Sequence, residues 1–410
     1  MKLKIYSVLY FLNYYLSGLL IPVLSLLLIE KGASLSNLSI ILGLYALTVV
    51  LLELPTGIMA DIFGRKKTFC MSLIISAISF LVILFGRGFQ ILCIGMMLYG
   101  FNRALASGSF DALFIDYYID TFGKEKLHNI TTRLSVLEAL GLSAGAISGG
   151  FFPKIAANIP FIGIYDLNVI IRIILTLIVA VLSFIYISET KTIEKHERIT
   201  IKQHVKNSSS FVMQNTTVLC IFISVFSTGF FLSSLETYWQ PHFITLLPNK
   251  SMTGLLGLMA FLYLAAAMIG SISSNNIIKK FKFNTKKMYL IFRLLLALSL
   301  IFTALQTKIP SFISLYASIY LFFGMSNVPE GAILNGEIPN EIRASVLSVN
   351  SLILQVGGLS GSLLYSIIIN YISIPHIWMI AACVVLVTVA ITFKKFLADS
   401  PEASISNSTK

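Results

Sequence analysis

About twelve stretches of roughly 20 or more mostly apolar residues, each closed by a short polar connection, constrain this chain more than anything else in it. In hydrocarbon every backbone N–H and C=O must be satisfied internally, which only helices and closed barrels achieve. The runs are far longer than barrel strands and show no apolar/polar alternation, so helices are the spanning element. Reading each run against its breakers predicts spans near 6–29, 36–60, 68–86, 89–117, 131–155, 163–188, 212–244, 253–278, 287–306, 311–337, 344–371 and 374–396. The first, Tyr6–Ile29, is too long for the apolar core of a signal peptide and lacks a small-residue cleavage site, so it reads as an uncleaved span. The expectation is an all-α membrane protein of twelve transmembrane helices set in a lipid bilayer. Only 12% of the residues are charged, against about 25% in a soluble globular chain.

The net charge of +12 does not make a nucleic-acid surface, because the basic residues are scattered between apolar spans. They crowd instead onto the two tails and the even-to-odd connections, while Lys31, Arg87, Lys154, Lys250 and Lys308 hold the opposite loops and Arg103, Arg172 and Arg293 fall inside spans. The positive-inside rule then puts both termini in the cytosol of a multi-pass protein of the plasma (inner) membrane. Cys70, Cys93, Cys220 and Cys383 form no CxxC pair, and the five histidines form no HExxH, so neither a metal site nor a disulfide framework is expected, and no cofactor.

The long polar connection from about Glu189 to Ser210 separates two groups of six spans. The predicted organisation is a six-helix half at 1–188, a cytosolic linker at 189–210, a second six-helix half at 211–398 and a polar cytosolic tail at 399–410. A weak internal echo accompanies it: Thr132-Arg133 and Ile342-Arg343-Ala344 each precede a Gly-rich helix, the two arginines lying 210 residues apart. Parallel duplication of six-helix halves is a transporter architecture, with the substrate site between halves near the midplane.

Between spans two and three runs Gly57-Ile-Met-Ala-Asp61-Ile-Phe-Gly64-Arg65-Lys66-Lys67. A positive-inside loop explains the basic trio but not the spacing of Gly57, Asp61 and Gly64, which resembles the signature loop of the major facilitator superfamily. Gly57 is expected to let a neighbouring helix approach closely, and Asp61 to accept from a helix N-terminus. The resemblance implies the major facilitator fold and a conformational latch in which the signature arginine, Arg65, bonds an acid at the end of span four, here Asp116 or Asp120. The second half carries a degenerate copy, Gly270 followed by Lys279, Lys280 and Lys282.

Span five contains Gly141-Leu-Ser-Ala-Gly145-Ala146-Ile-Ser-Gly149-Gly150, which resembles the motif of the family's antiporters, except that Ala146 stands where that motif has Pro. Gly141, Gly145 and Gly149 share one helix face and form a groove for close packing, and generic small-residue packing is the competing account. Arg103, inside span four, resembles the family's span-four arginine, with Gly108 one residue further on than the pattern has it. Pairing with an acid on another helix is its alternative. The acids in or near spans are Glu53, Asp111, Glu138, Glu236 and Glu330. In the family, helices one, four, seven and ten line the cavity, which points to Asp111, Glu236 and Glu330 ahead of the other two. Asn13, Tyr14, Tyr238, Trp239, Gln240 and Asn327 share those helices and are candidates for holding an amphiphilic substrate, with packing or interfacial anchoring as the plain reading.

No GxxxxGK[ST] phosphate loop is present, so energy comes from an ion gradient or from the substrate's own. The resemblance implies a secondary transporter, a drug:proton antiporter-like exporter that moves a small amphiphilic compound such as an antibiotic or toxic peptide outward against protons by alternating access, as a monomer. A proton-coupled importer of a sugar, peptide or other metabolite is the second reading. An intramembrane enzyme would need a nucleophile and base, or a metal cluster, at matched depth.

Overall fold

Every regular element among the described residues is helical, as unbroken apolar runs in hydrocarbon require. The computed structural model describes residues 2–107, 109–122, 127–189, 212–248, 250–281, 284–339 and 342–398. In chain order the helices are α1 (Lys2–Gly18), α2 (Leu24–Glu30), α3 (Leu35–Phe63), α4 (Arg65–Phe85), α5 (Phe89–Ser107), α6 (Phe110–Phe122), α7 (Leu127–Ala156), α8 (Asp166–Tyr186), α9 (Thr216–Leu246), α10 (Gly254–Phe281), α11 (Thr285–Ala304), α12 (Ile309–Glu337), α13 (Arg343–Ile368) and α14 (Ile374–Ala398). The linker from 190 to 210 and the tail from 399 to 410 lie outside the described residues.

Eleven helices among the described residues are long and apolar enough to cross a membrane. The remaining predicted span, 6–29, is not one helix but two, α1 and α2 joined by a turn at 19–23. Pro22 lacks the N–H that would reach the Gly18 carbonyl one turn back, and the Ile21 N–H takes that carbonyl instead at 3.1 Å. Span four is broken as well: α5 ends at Ser107 and α6 opens at Phe110.

A break in an apolar helix leaves backbone groups without partners, and other helices supply them. Arg172 of α8 donates to the Leu16 carbonyl. Asn168, one turn earlier, donates to the carbonyls of Leu19 (3.0 Å) and Gly149 (2.8 Å). Gln240 of α9 serves both sides of the turn, its Nε2 donating to the Ile21 carbonyl at 2.7 Å and its Oε1 accepting from the Ser25 N–H at 2.8 Å.

The chain forms two compact units, Met1–His196 with Thr237–Phe261, and Glu197–Glu236 with Leu262–Lys410. The segment 237–261 thus joins the first unit. Its reasons are local: the Gln240 bonds, the Tyr238 hydroxyl 2.8 Å from that of Ser39, and Gly257, where an added Cβ would stand 2.6 Å from the Ala146 carbonyl oxygen.

Glycines set the closest helix crossings, and the same crossings recur in each unit. A Cβ on Gly141 would lie 2.6 Å from the Phe11 carbonyl oxygen, one on Gly145 2.8 Å from the Gly18 Cα, and one on Gly149 3.0 Å from the Leu19 Cα, so α7 rides along α1. The α9–α13 pair repeats this, with Gly229 against Gly358 (2.8 Å) and Gly357 against the Phe226 carbonyl carbon (2.9 Å). Likewise α3–α5 meet at Gly100 and Tyr45, and α10–α12 meet at Gly270 with Leu321 and Gly324 with Ala267. At Gly57 a Cβ would meet nothing within 4 Å among the described residues.

Candidate substrate and ion pathway

The polar residues singled out in the sequence fall into two groups, one in each unit. In the first unit α1 contributes Tyr10, Asn13 and Tyr14. The Tyr10 ring stacks on Phe110 with centroids 5.2 Å apart, and Phe110 stacks in turn on Phe69 at 4.0 Å, which fixes the start of α6 against α1 and α4. The Tyr10 hydroxyl donates to that of Tyr14 at 3.5 Å. Because span four breaks just before Phe110, Asp111 occupies the first turn of α6, where the helix dipole favours a negative charge. Asp111, Arg103 and Glu138 lie within electrostatic range of one another. Glu138 of α7 ranked below the others in the sequence because its helix is not one of the expected cavity helices. Its half-buried carboxylate nevertheless shares the neighbourhood of Asp111.

A small polar cavity adjoins this group, about 30 Å³ in volume, walled by Asn13, Ser76, Tyr99, Asn102, Arg103 and Arg172 among others. Arg172 is 3% exposed, and its guanidinium lies over the Phe80 and Tyr99 rings at 4.4 and 5.1 Å. Trp239 and Gln240, expected to face substrate, are buried, and Gln240 is taken up by the turn of the first span.

In the second unit Glu236 of α9 is exposed, as is Asn327 of α12. Glu236 is within electrostatic range of Tyr263, Tyr316 and Tyr320. These three rings form one cluster: Tyr263 stacks on Tyr320 at 4.4 Å and meets Tyr316 edge-on at 5.6 Å. Among the described residues no ion pair involves Glu236. The tyrosines were not legible as a set, since Tyr263 stands on α10 and Tyr316 and Tyr320 one turn apart on α12. Glu330, half-buried on α12, accepts from the Tyr289 hydroxyl at 3.0 Å. The guanidinium of Arg293, fully buried, bonds to the Thr228 and Ser227 hydroxyls and the Ser224 carbonyl of α9.

At the loop between α3 and α4, Gly64 adopts φ 99°, a conformation that disfavours any side chain. Glu189 packs into the space a Cβ would occupy, at 2.7 Å, and its carboxylate accepts from the Lys66 N–H at 3.0 Å. A remote acid thereby caps α4 where Gly64 offers no side chain of its own. The Lys66 ammonium sits 5.2 Å from the Phe184 ring centre. Asp61 and Asp116 belong to α3 and α6, but their side chains, like Asp120's, lie outside the described residues. The string Gly141-Leu-Ser143-Ala-Gly145 has the spacing of a hydrolase nucleophile elbow, yet it runs inside α7 with no strand-to-helix turn to present the serine. Among the described residues no group of three His, Cys, Asp or Glu is arranged to hold a metal ion.

Comparison with known proteins agrees with this architecture. The pattern that defines the Major Facilitator Superfamily matches residues 6–281 and 249–410. The uncharacterized MFS-type transporter YxaM of Bacillus subtilis is 22% identical over 376 residues, 91% of this chain and 90% of that one. The quinolone resistance protein NorA of Staphylococcus aureus is 25% identical over 144 residues, a match to 35% of this chain and 36% of NorA. Among solved structures, the nucleoside transporter NupG superposes with a TM-score of 0.78 at 12% identity, covering 96% of this chain and 99% of NupG. A bacterial homolog of the human lysosomal transporter Spinster, in an inward-facing and unoccupied conformation, gives a TM-score of 0.74 at 14% identity, covering 98% of each chain.

Proposed function

We propose, since this chain belongs to the major facilitator superfamily and is a multi-pass transporter, that it exports a small amphiphilic compound in exchange for protons. The observation that carries the amphiphile is the second unit's exposed Glu236 beside the Tyr263, Tyr316 and Tyr320 rings. An exposed carboxylate in an aromatic surround attracts a cation by its charge, and the largely buried tyrosines give that charge an apolar neighbourhood that suits the cation's body. The partial similarity to NorA supports the outward direction. Gly141, Gly145, Gly149 and Gly150 support the antiporter reading only through their resemblance to that motif, because their packing against α1 and Gly257 serves any direction of transport.

The proton in this reading is carried by Asp111, with Glu330 the second choice and Arg103 setting the field around Asp111. Moving one charge through 100 mV releases about 2.3 kcal/mol, enough for more than a tenfold concentration ratio per proton. The test is purified protein in liposomes, loaded with a fluorescent lipophilic cation. In Asp111→Asn we expect substrate counterflow to persist while the response to an imposed pH gradient disappears. Full pH-driven transport in both Asp111→Asn and Glu330→Gln would remove the assignment, and uptake down the same gradient would reverse the direction to import.

Both termini are read as cytosolic from the distribution of Lys and Arg. In a background lacking the four native cysteines, Lys154→Cys and Lys308→Cys are expected to react with an impermeant thiol reagent added to whole cells. Lys66→Cys is expected not to react until the cells are opened, and the reverse pattern would overturn the orientation.

A further inference from the structure

Arg172 carries a charge that the described structure leaves without a counter-ion. It sits inside a membrane-spanning helix, 3% exposed, with two neutral acceptors for its guanidinium, the Leu16 carbonyl and the Tyr99 hydroxyl, and no hydrogen-bond partner for its Nε. The Phe80 and Tyr99 rings beneath it offer cation–π attraction but no negative charge. Ionisable groups at such depth pair with one another or mark an ion or substrate path.

The cavity it lines contains a second guanidinium, Arg103, and amide or hydroxyl donors from Asn13, Ser76, Tyr99 and Asn102, while no Asp or Glu is among its lining residues. Asp111 is within electrostatic range of Arg103 but is not part of the wall. Two guanidinium groups, one buried and one at the exposed rim, together with amide and hydroxyl groups able to donate, make this a positively charged pocket. The volume of about 30 Å³ exceeds the roughly 10–15 Å³ that one water-sized occupant needs, and is too small for an amphiphile.

We infer that this cavity is a binding site for a small monovalent anion, of chloride size, held between Arg103 and Arg172. The anion supplies the charge Arg172 lacks and ties α8 to α1 and α5. The site needs no assumption about the transported compound or its direction, so its fate is separate from that of the transport reading.

The experiment is a thermal melt of the purified full-length protein in sodium gluconate, with chloride, bromide or acetate exchanged in at constant ionic strength. Chloride and bromide are expected to raise the midpoint saturably, as binding to the folded state alone requires. Arg172→Met is expected to abolish that rise. Arg103→Gln, on an exposed side chain whose loss does not threaten folding, is expected to weaken the apparent chloride affinity about tenfold or more, a guanidinium–anion contact having been removed. Identical melts in gluconate and halide, or an undiminished halide response in Arg103→Gln, would overturn the site. Stabilisation by acetate without halide would overturn the halide assignment and identify the pocket as a seat for a carboxylate group.

Discussion

Gly145→Val is expected to yield little or no folded protein. A Cβ at that position would stand 2.8 Å from the Gly18 Cα and closer still to the Tyr15 carbonyl oxygen, so the obstacle is backbone on the facing helix, which no rotamer change removes. Overpacking a core commonly costs about 1–3 kcal/mol even where side chains can yield. Here α1 would have to leave α7 along a contact that also includes Gly141 and Gly149, and the cost is expected at about 3 kcal/mol or more. Gly57→Ala is the matched control. Its Cβ meets nothing within 4 Å, and Ala is favoured over Gly inside a helix by about 1 kcal/mol. Detergent-extracted yield and melting midpoint, measured side by side, should collapse for Gly145→Val and stay level or rise for Gly57→Ala. Equal behaviour of the two would mean that the α1–α7 crossing does not hold the first unit together.

Gln240→Leu is the second large effect. The side chain is 3% exposed and makes two bonds to the turn of the first span, at the Ile21 carbonyl and the Ser25 N–H. Leucine fills similar space but satisfies neither group. Each buried backbone group left unpaired costs about 1–3 kcal/mol, with no water at hand in a membrane interior to replace the amide. The expected outcome is a loss of about 2–5 kcal/mol, the sum of two such groups less the gain from a more apolar side chain. Gln240→Glu keeps the acceptor for Ser25 and, with its carboxyl protonated, an O–H for the Ile21 carbonyl, so at low pH it should fall between wild type and Gln240→Leu. The ionised carboxylate would face that carbonyl as a buried unpaired charge and destabilise at least as much as Leu. Hydrogen exchange supplies a readout that general instability does not mimic: protection at Ser25 should drop further than protection in α4 or α11.

The membrane class, the helix count and the family were legible in the sequence because they rest on long apolar runs and on the spacing of Gly57, Asp61 and Gly64. These signals are local and survive without knowledge of which helices touch. The break in the first span was not foreseen, although Gly18 and Pro22 stand in it, because an apolar run does not record where its backbone bonds go. The partners of Gln240 were hidden for the same reason: the turn it bonds is more than 200 residues away in sequence. The tyrosine cluster beside Glu236 and the role of Glu189 at Gly64 are likewise products of tertiary contact, with no periodicity to announce them. The proximity of Glu138 to Asp111 was hidden in the same way, since sequence does not say that an acid on α7 comes within electrostatic range of one on α6.

The turn at 19–23 has a mechanical consequence. A continuous helix passes rotation and strain along its axis through its own hydrogen bonds, so its two ends move as one rod. The first span has no such rod. Any torque between α1, which bears Asn13 and Tyr14, and α2 must cross a joint whose bearings are Asn168, Arg172 and Gln240, side chains belonging to other helices. The stiffness of that joint is therefore shared between the short backbone bonds of the turn itself and these side chains from outside the span, and substitutions at the three positions alter how faithfully motion at one end of the first span is felt at the other.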